Sequence, residues 1–238
     1  AMLVTARPRI LALEPGEGLH AQDVMDFWRP NYRQEALVDG KYSAHMYMHT
    51  ALKCWERYAA ATGRCLETID KFCYHLPFTR MARKAHAHLL KNARGREPDA
   101  AEVDRHIADS LHYGRGTGNS YAASIFQGLA CLLDHAGDDL SGRRIGFFSY
   151  GSGCTGEFFS GVVQGAYRSR LLTERHRRLL ADRVELDYEQ YKALFTRRVP
   201  TDGGVHAFPR GRAGPFRLAG IRHHKRIYER VEDHLPER

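Results

Sequence analysis

The sequence predicts an α/β fold, and three stretches carry that prediction. Lys71-Phe72-Cys73-Tyr74-His75-Leu76-Pro77-Phe78 reads as a short buried strand, with His75 near its C-terminal end, that stops at Pro77 and hands over to a helix starting near Thr79, because proline cannot donate to a sheet ladder. Arg144-Ile145-Gly146-Phe147-Phe148-Ser149-Tyr150 reads as a second strand. It follows a helix whose apolar residues Ala122, Ile125, Phe126, Leu129, Leu132 and Leu133 recur at three-and-four spacing. Near the end, Phe216 to Ile221 and Arg226 to Tyr228 alternate like the arms of a hairpin.

In chain order, Met2-Leu3-Val4 reads as an apolar strand with no introductory loop, which suggests a piece of something longer. Residues 6–18 hold Pro8, Pro15, Gly16 and Gly18 and read as a connection. The excursion through Asp26-Phe27-Trp28-Arg29-Pro30 ends at Val38-Asp39-Gly40-Lys41, where Asp-Gly signals a turn. Its aromatics Phe27, Trp28 and Tyr32 are expected to pack against the body, with substrate stacking as the alternative. Ser43 to Ala61 reads as a helix ended by Gly63, with Met46, Tyr47, Leu52, Trp55 and Tyr58 at helical spacing. After the first strand, Met81, Ala85, His88 and Leu89 line one face of the next helix, and Ala100 to Leu111 forms another.

Tyr113 to Ser120 contains three glycines in five residues, a loop whose backbone can approach a ligand closely. Asn119 or Ser120 is the natural cap for the helix that follows. The Gly-Lys-Ser/Thr ending of a phosphate loop is missing, and no clear strand leads in as a dinucleotide fingerprint requires. Gly151-Ser152-Gly153 reads as a tight turn before a returning strand over 157–163. Its glycines do not fall where a Gly-x-Ser-x-Gly nucleophile elbow needs them, but its N–H groups can face a bound carbonyl or phosphate. Leu171 to Ala181 and Asp187 to Arg197 read as helices, and Glu232 to Arg238 as a frayed tail.

The 238 residues suffice for one large domain or two small ones. Neither a membrane-length apolar run nor a leader is visible, so a cytoplasmic location and no membrane partner are expected. The net charge of +8 gathers in two clusters, Arg168, Arg170, Arg175, Arg177, Arg178 and Arg222, His223, His224, Lys225, Arg226. Each is either a solvated face or a surface for an acidic partner such as nucleic acid, a phosphorylated cofactor or an acidic protein. No nucleic-acid motif accompanies them, so that class is set aside. Five cysteines without a Cys-x-x-Cys pair argue against a disulfide framework or a zinc ribbon. The fourteen histidines include no set at ligand spacing, so no metal is expected. His75, where a strand ends and a helix begins, reads either as an exposed imidazole meeting a substrate or as a core histidine bonded to a backbone carbonyl. The stretch alone leaves both open.

Four segments in this order resemble the hydroxymethylglutaryl-CoA synthase family: Val38-Asp39-Gly40-Lys41, Tyr74-His75-Leu76-Pro77-Phe78, Gly118-Asn119-Ser120-Tyr121-Ala122-Ala123-Ser124, and Ile145 through Gly153. Phe216 to Tyr228 is similar to that family's last hairpin. The resemblance implies a thiolase-like layered α-β-α fold, with this chain supplying the second half plus the last strand of the first. Residues 1–70 would be the end of the first half and a connecting helical insertion. Residues 71–238 would be the second half with its C-terminal hairpin.

The resemblance also implies chemistry. His75 matches the histidine that hydrogen-bonds the acceptor thioester carbonyl, which tips its reading toward function. Asn119 matches the asparagine that bonds the acyl oxygen. Ser152 matches a residue lining the acyl pocket, and Pro77, Tyr150 and Gly151 are expected to contact substrate. The family's acetylated cysteine and assisting glutamate lie upstream of anything resembling residue 1, so neither Cys73 nor Cys154 is offered as nucleophile. A complementary N-terminal half is the expected partner, and a homodimer the expected assembly. Gly153-Cys154-Thr155-Gly156-Glu157-Phe158-Phe159-Ser160-Gly161 is more similar to the synthases of polyketide β-branching, which take acyl groups from acidic acyl carrier proteins. The substrates are then acyl-CoA or phosphopantetheinyl carrier thioesters, with no permanently bound cofactor. The alternatives are the mevalonate-route enzyme and a non-catalytic half that scaffolds a partner.

Overall fold

A computed structural model describes residues 2–210 and 214–231. They form two compact units, one running through Asp182 and one starting at Arg183. The tail expected over 232–238 lies outside the described residues.

The first unit is built on a four-stranded sheet, β1 (Leu11–Ala21), β4 (Lys71–Tyr74), β5 (Arg144–Gly151) and β6 (Thr155–Val163), in the spatial order β1-β6-β5-β4. The β4–β5 pair is parallel and the other two are antiparallel. Between β1 and β4 come a two-residue ribbon, β2 (Phe27–Trp28) with β3 (Leu37–Val38), and the long helix α1 (Gly40–Thr62). Helices α2 (Thr79–Arg94), α3 (Ala100–Ile107), α4 (His112–Thr117) and α5 (Ser124–His135) connect β4 to β5, and α6 (Thr173–Ala181) follows β6.

Side-chain alternation along the strands sorts the core into two layers. Even-numbered Phe72, Tyr74, Phe148, Tyr150 and Phe158 pack with α1, α2 and α3. Odd-numbered Cys73, Ile145, Phe147 and Val163 pack with Ile125, Leu129, Leu132 and Leu133 of α5. The result is a mixed sheet covered on both faces by helices.

Several sequence expectations require correction. Met2-Leu3-Val4 is not a strand; these side chains are 55%, 83% and 86% exposed, since an apolar run becomes a strand only where a ladder partner exists. The first strand is instead β1, which includes Pro15, Gly16 and Gly18. A register shift between Leu13 and Glu17 absorbs the proline as a bulge. Asp39-Gly40 does not make a turn: the Asp39 carboxylate accepts from the Tyr42 N–H at 3.1 Å and caps α1. Phe27 and Tyr32 are 45% and 86% exposed rather than packed on the body. The inward histidine of α2 is His86, fully buried, not His88. Residues 113–117 of the glycine-bearing stretch expected as a loop over 113–120 belong to helix α4.

Two ionic anchors fix this unit. Glu14 lies beside Arg144 and Arg64 at 2.7 and 2.9 Å and accepts from the Ser160 hydroxyl at 2.6 Å, locking β1 to β5 and β6. Helix α6 buries no side chain. Thr173 and His176 tie it to the buried Asp134 carboxylate, each at 2.6 Å.

The second unit contains α7 (Tyr188–Phe195), capped by Asp187, and a three-stranded antiparallel sheet of β7 (Val205–Ala207), β8 (Phe216–Arg222) and β9 (Lys225–Arg230). The β8–β9 hairpin agrees with the sequence expectation. Its basic tip is the two-residue turn His223-His224, with φ of 48° and 63°.

Helix α1 lies so close to β1 that a Cβ on Gly18 would stand 1.9 Å from the Cys54 carbonyl oxygen and 2.5 Å from the Tyr58 nitrogen. Backbone cannot yield as a side-chain tip can. Gly18→Ala should therefore lower the unfolding free energy by about 3 kcal/mol in urea titrations, and an unchanged midpoint would show that the helix is not seated there.

Candidate active site

The strand β4 stops at Tyr74, and the next two residues are held individually. The His75 N–H donates to the Phe148 carbonyl at 2.7 Å, continuing the ladder by one bond. The His75 carbonyl accepts from the buried Tyr47 hydroxyl at 2.6 Å. The Leu76 N–H donates to the Ser124 hydroxyl at 3.0 Å. Pro77, half-buried, can make no such bond, and α2 begins two residues later. Backbone bonds to β5, α1 and α5 thus fix where the imidazole sits.

His75 is 7% exposed, so of the two readings the sequence leaves open its burial matches the core histidine rather than the exposed imidazole. Its neighbours are polar-tipped rather than purely apolar. The Tyr47 and Tyr150 rings lie 6.4 and 6.3 Å away by centroid, and Nδ1 is 3.0 Å from the Ser124 hydroxyl. Burial holds His75 below the ordinary imidazole value, and the nearby Tyr121 backbone works in the opposite direction. A neutral imidazole results, able to donate at one nitrogen and accept at the other.

Asn119 engages Tyr121 directly. Its side-chain oxygen accepts from the Tyr121 N–H at 2.8 Å, in an exposed turn. Asn119 therefore does not cap the long helix, which starts at Ser124 without a side-chain cap. Tyr121 itself is held at φ 53°, in a left-handed region that tyrosine seldom adopts. Tyr121 thus links the two motifs: its N–H is bonded to Asn119, and its backbone lies close enough to His75 to bias the imidazole.

The glycine turn is organised by a residue that the sequence reading passed over. Asp26, fully buried, accepts from the Gly153 N–H at 2.9 Å, the Tyr150 hydroxyl at 3.0 Å and the Ser43 hydroxyl at 3.0 Å. Burial raises its pKa, but these bonds, helped by the nearby Ser152 side chain, outweigh that and hold the carboxylate below its usual range. The Gly153 N–H is thereby committed to Asp26 rather than open to a ligand. Ser152 and Gly151 are exposed on the turn, while Tyr150 is buried. One sequence signal for Asp26 exists: an acid set among Val24, Met25, Phe27 and Trp28 is out of place unless it is paired. Tyr47, read as one more apolar position of α1, was also missed as a site residue, and only its hydroxyl contact reveals it.

The cysteines near these motifs are ill suited to attack. Cys73 is fully buried with its thiol pushed far up by burial, and Cys54 is pushed up to about 12. Cys154 is buried against the Thr50 hydroxyl at 3.1 Å. Behind β4, Tyr74 bonds His86 at 2.9 Å and His86 bonds His106 at 2.8 Å, with burial holding His86 down at about 3. No group of three or more metal-ligating side chains occurs among the described residues, and no helix among them is long and apolar enough to cross a membrane. An open groove of about 400 Å³ between Leu13, Ile125, Phe126 and Phe159 has none of His75, Asn119 or Ser152 in its lining.

Residues 12–110 and 99–205 match the family model for the hydroxymethylglutaryl-coenzyme A synthase C terminal. The chain belongs to the hydroxymethylglutaryl-CoA synthase family. A hydroxymethylglutaryl-CoA synthase of Enterococcus faecalis is 38% identical over 85% of this chain and 52% of its own length. A polyketide biosynthesis 3-hydroxy-3-methylglutaryl-ACP synthase of Bacillus subtilis, PksG, is 33% identical over 82% of this chain and 47% of its own. A crystal structure of a hydroxymethylglutaryl-CoA synthase complexed with CoA superposes with a TM-score of 0.83 at 32% identity, covering 94% of this chain and 57% of that one. The layered α/β architecture of this chain is therefore the thiolase-like one of the synthase family. The chain spans about half the length of these relatives.

Because Asp26 has a lower pKa folded than unfolded, the unfolded chain takes up its proton first as pH falls. The stabilisation is complete above the unfolded value of about 3.9 and fades as pH drops toward the folded one. Asp26→Asn, which leaves the Gly153, Tyr150 and Ser43 donors without a charged acceptor, should cost about 1–3 kcal/mol at neutral pH. It should also flatten the acid limb of stability against pH. Urea denaturation across the acid range checks both.

Proposed function

We propose that this chain is the acceptor-binding half of a hydroxymethylglutaryl synthase-type condensing enzyme. The observation that supports this best is that Tyr121, whose N–H is bonded to Asn119, also has its backbone beside the His75 imidazole, and both side chains carry a group that can bond a carbonyl oxygen without a metal. In this reading His75 donates to the thioester carbonyl of a β-ketoacyl acceptor, and Asn119 bonds its acyl oxygen. Ser152, Gly151, Tyr150 and Pro77 line the acyl pocket. The donor is an acetyl thioester on a cysteine of a complementary N-terminal half. Loss of a methyl proton makes that acetyl group a carbon nucleophile, which attacks the β-keto carbon. The ketone oxygen takes up a proton as the new carbon–carbon bond forms, and water then cleaves the enzyme thioester, freeing a 3-hydroxy-3-methylglutaryl-type product and regenerating the thiol.

We assign the acceptor to an acyl carrier protein, in the manner of polyketide β-branching synthases. The pattern Gly153 to Gly161 supports this, as does a net charge of +8 facing an acidic partner. The second reading is a CoA acceptor, as in the mevalonate route. It is favoured by the 38% identity to a CoA synthase, and the phosphates of CoA suit a basic surface equally well. The working assembly in either case is a homodimer of complete two-half subunits, with the boundary between halves carried within residues 1–70.

The full two-half protein, given acetyl and acetoacetyl thioesters on CoA or on a carrier protein, should form product, and His75→Ala should cut kcat by roughly 10²- to 10⁴-fold. A higher kcat/KM on the carrier would support the first reading and on CoA the second. Full turnover by the His75→Ala protein would leave the chain as a non-catalytic scaffold.

A further inference from the structure

Ser124 opens α5 with its side chain 1% exposed. Two polar groups reach its hydroxyl: the Leu76 N–H at 3.0 Å and His75 Nδ1 at 3.0 Å. A backbone N–H can only donate, so Leu76 occupies a lone pair of the hydroxyl oxygen. The hydroxyl's own proton then needs an acceptor, because a buried O–H without one is disfavoured. Among the described residues, the acceptor within hydrogen-bond reach of that hydroxyl is His75 Nδ1.

We propose that Ser124 is a positioning residue: by donating to Nδ1 it fixes neutral His75 as the Nε2–H tautomer and so makes the imidazole a hydrogen-bond donor toward the acceptor's thioester oxygen. The proposal rests on the reading of His75 given above. With Nδ1 taken as an acceptor, the one proton of the neutral ring sits on Nε2. The Tyr47 and Phe148 bonds to the His75 backbone hold the residue in place as that N–H meets a substrate oxygen. A histidine arriving with the proton on Nδ1 would present a lone pair to that oxygen and repel it, which is the penalty of a wrong tautomer in catalysis.

Nitrogen-15 spectra of the histidine-labelled full-length protein at neutral pH test this directly, with His75→Gln identifying the resonance. His75 should show a protonated Nε2 and an unprotonated Nδ1; the reverse pattern overturns the inference. Ser124→Ala should move the population toward Nδ1–H and lower kcat by about tenfold or more, with KM within about twofold. Ser124→Thr, which keeps the hydroxyl, should restore the wild-type spectrum. An Ala variant with unchanged spectrum and kcat would also refute the role. Should either variant fail to fold, the wild-type spectrum alone decides. A protein that shows the Nε2–H tautomer yet keeps its rate as His75→Ala would sink the catalytic reading of His75 while leaving the tautomer assignment intact.

Discussion

A buried negative charge constrains the site more than any other single feature. Asp26 has lost its water and must find its donors within the protein. It finds them on three different segments: Ser43 at the start of α1, Tyr150 at the end of β5 and the N–H of Gly153 in the turn. Each bond is directional, so the carboxylate sets the position of the turn relative to the helix that also supplies Tyr47. Tyr47 in turn holds the carbonyl of His75 and packs edge-on to Tyr150, 5.1 Å between ring centroids. Chain segments spread over more than a hundred positions are thereby referred to one point.

The elements were legible where a single local rule decided them. The three-and-four spacing of α5, the apolar run of β5 and the proline after β4 each reflect one rule with no competitor. The failures lie where partner availability decided instead. Met2-Leu3-Val4 is as apolar as β4 but has no ladder to join. Leu11 to Ala21 contains a proline and two glycines yet pairs along most of β6, because a bulge takes up the misfit. No reading of β1 alone could supply that information, since it resides in β6.

The candidate site divides in the same way. His75 and Asn119 were visible as polar residues at an element boundary and in a glycine loop, and the family resemblance joined them. Asp26, Tyr47 and Ser124 were hidden because each sits in a stretch whose pattern has a plainer explanation: an aromatic excursion, an amphipathic helix and the opening of another helix. Their roles depend on hydroxyl and carboxylate oxygens meeting across 17 to 127 positions, a separation that periodicity does not register.

The two-layer sorting of the sheet has a consequence for how such a molecule can change over time. Along β5, Phe148 and Tyr150 look toward α1, α2 and α3, whereas Ile145 and Phe147 look toward α5. Drift on one set leaves the other untouched, so packing on the two layers can diverge separately. The same arrangement forbids insertion of a single residue within the strand, because one extra position would exchange the two sets wholesale.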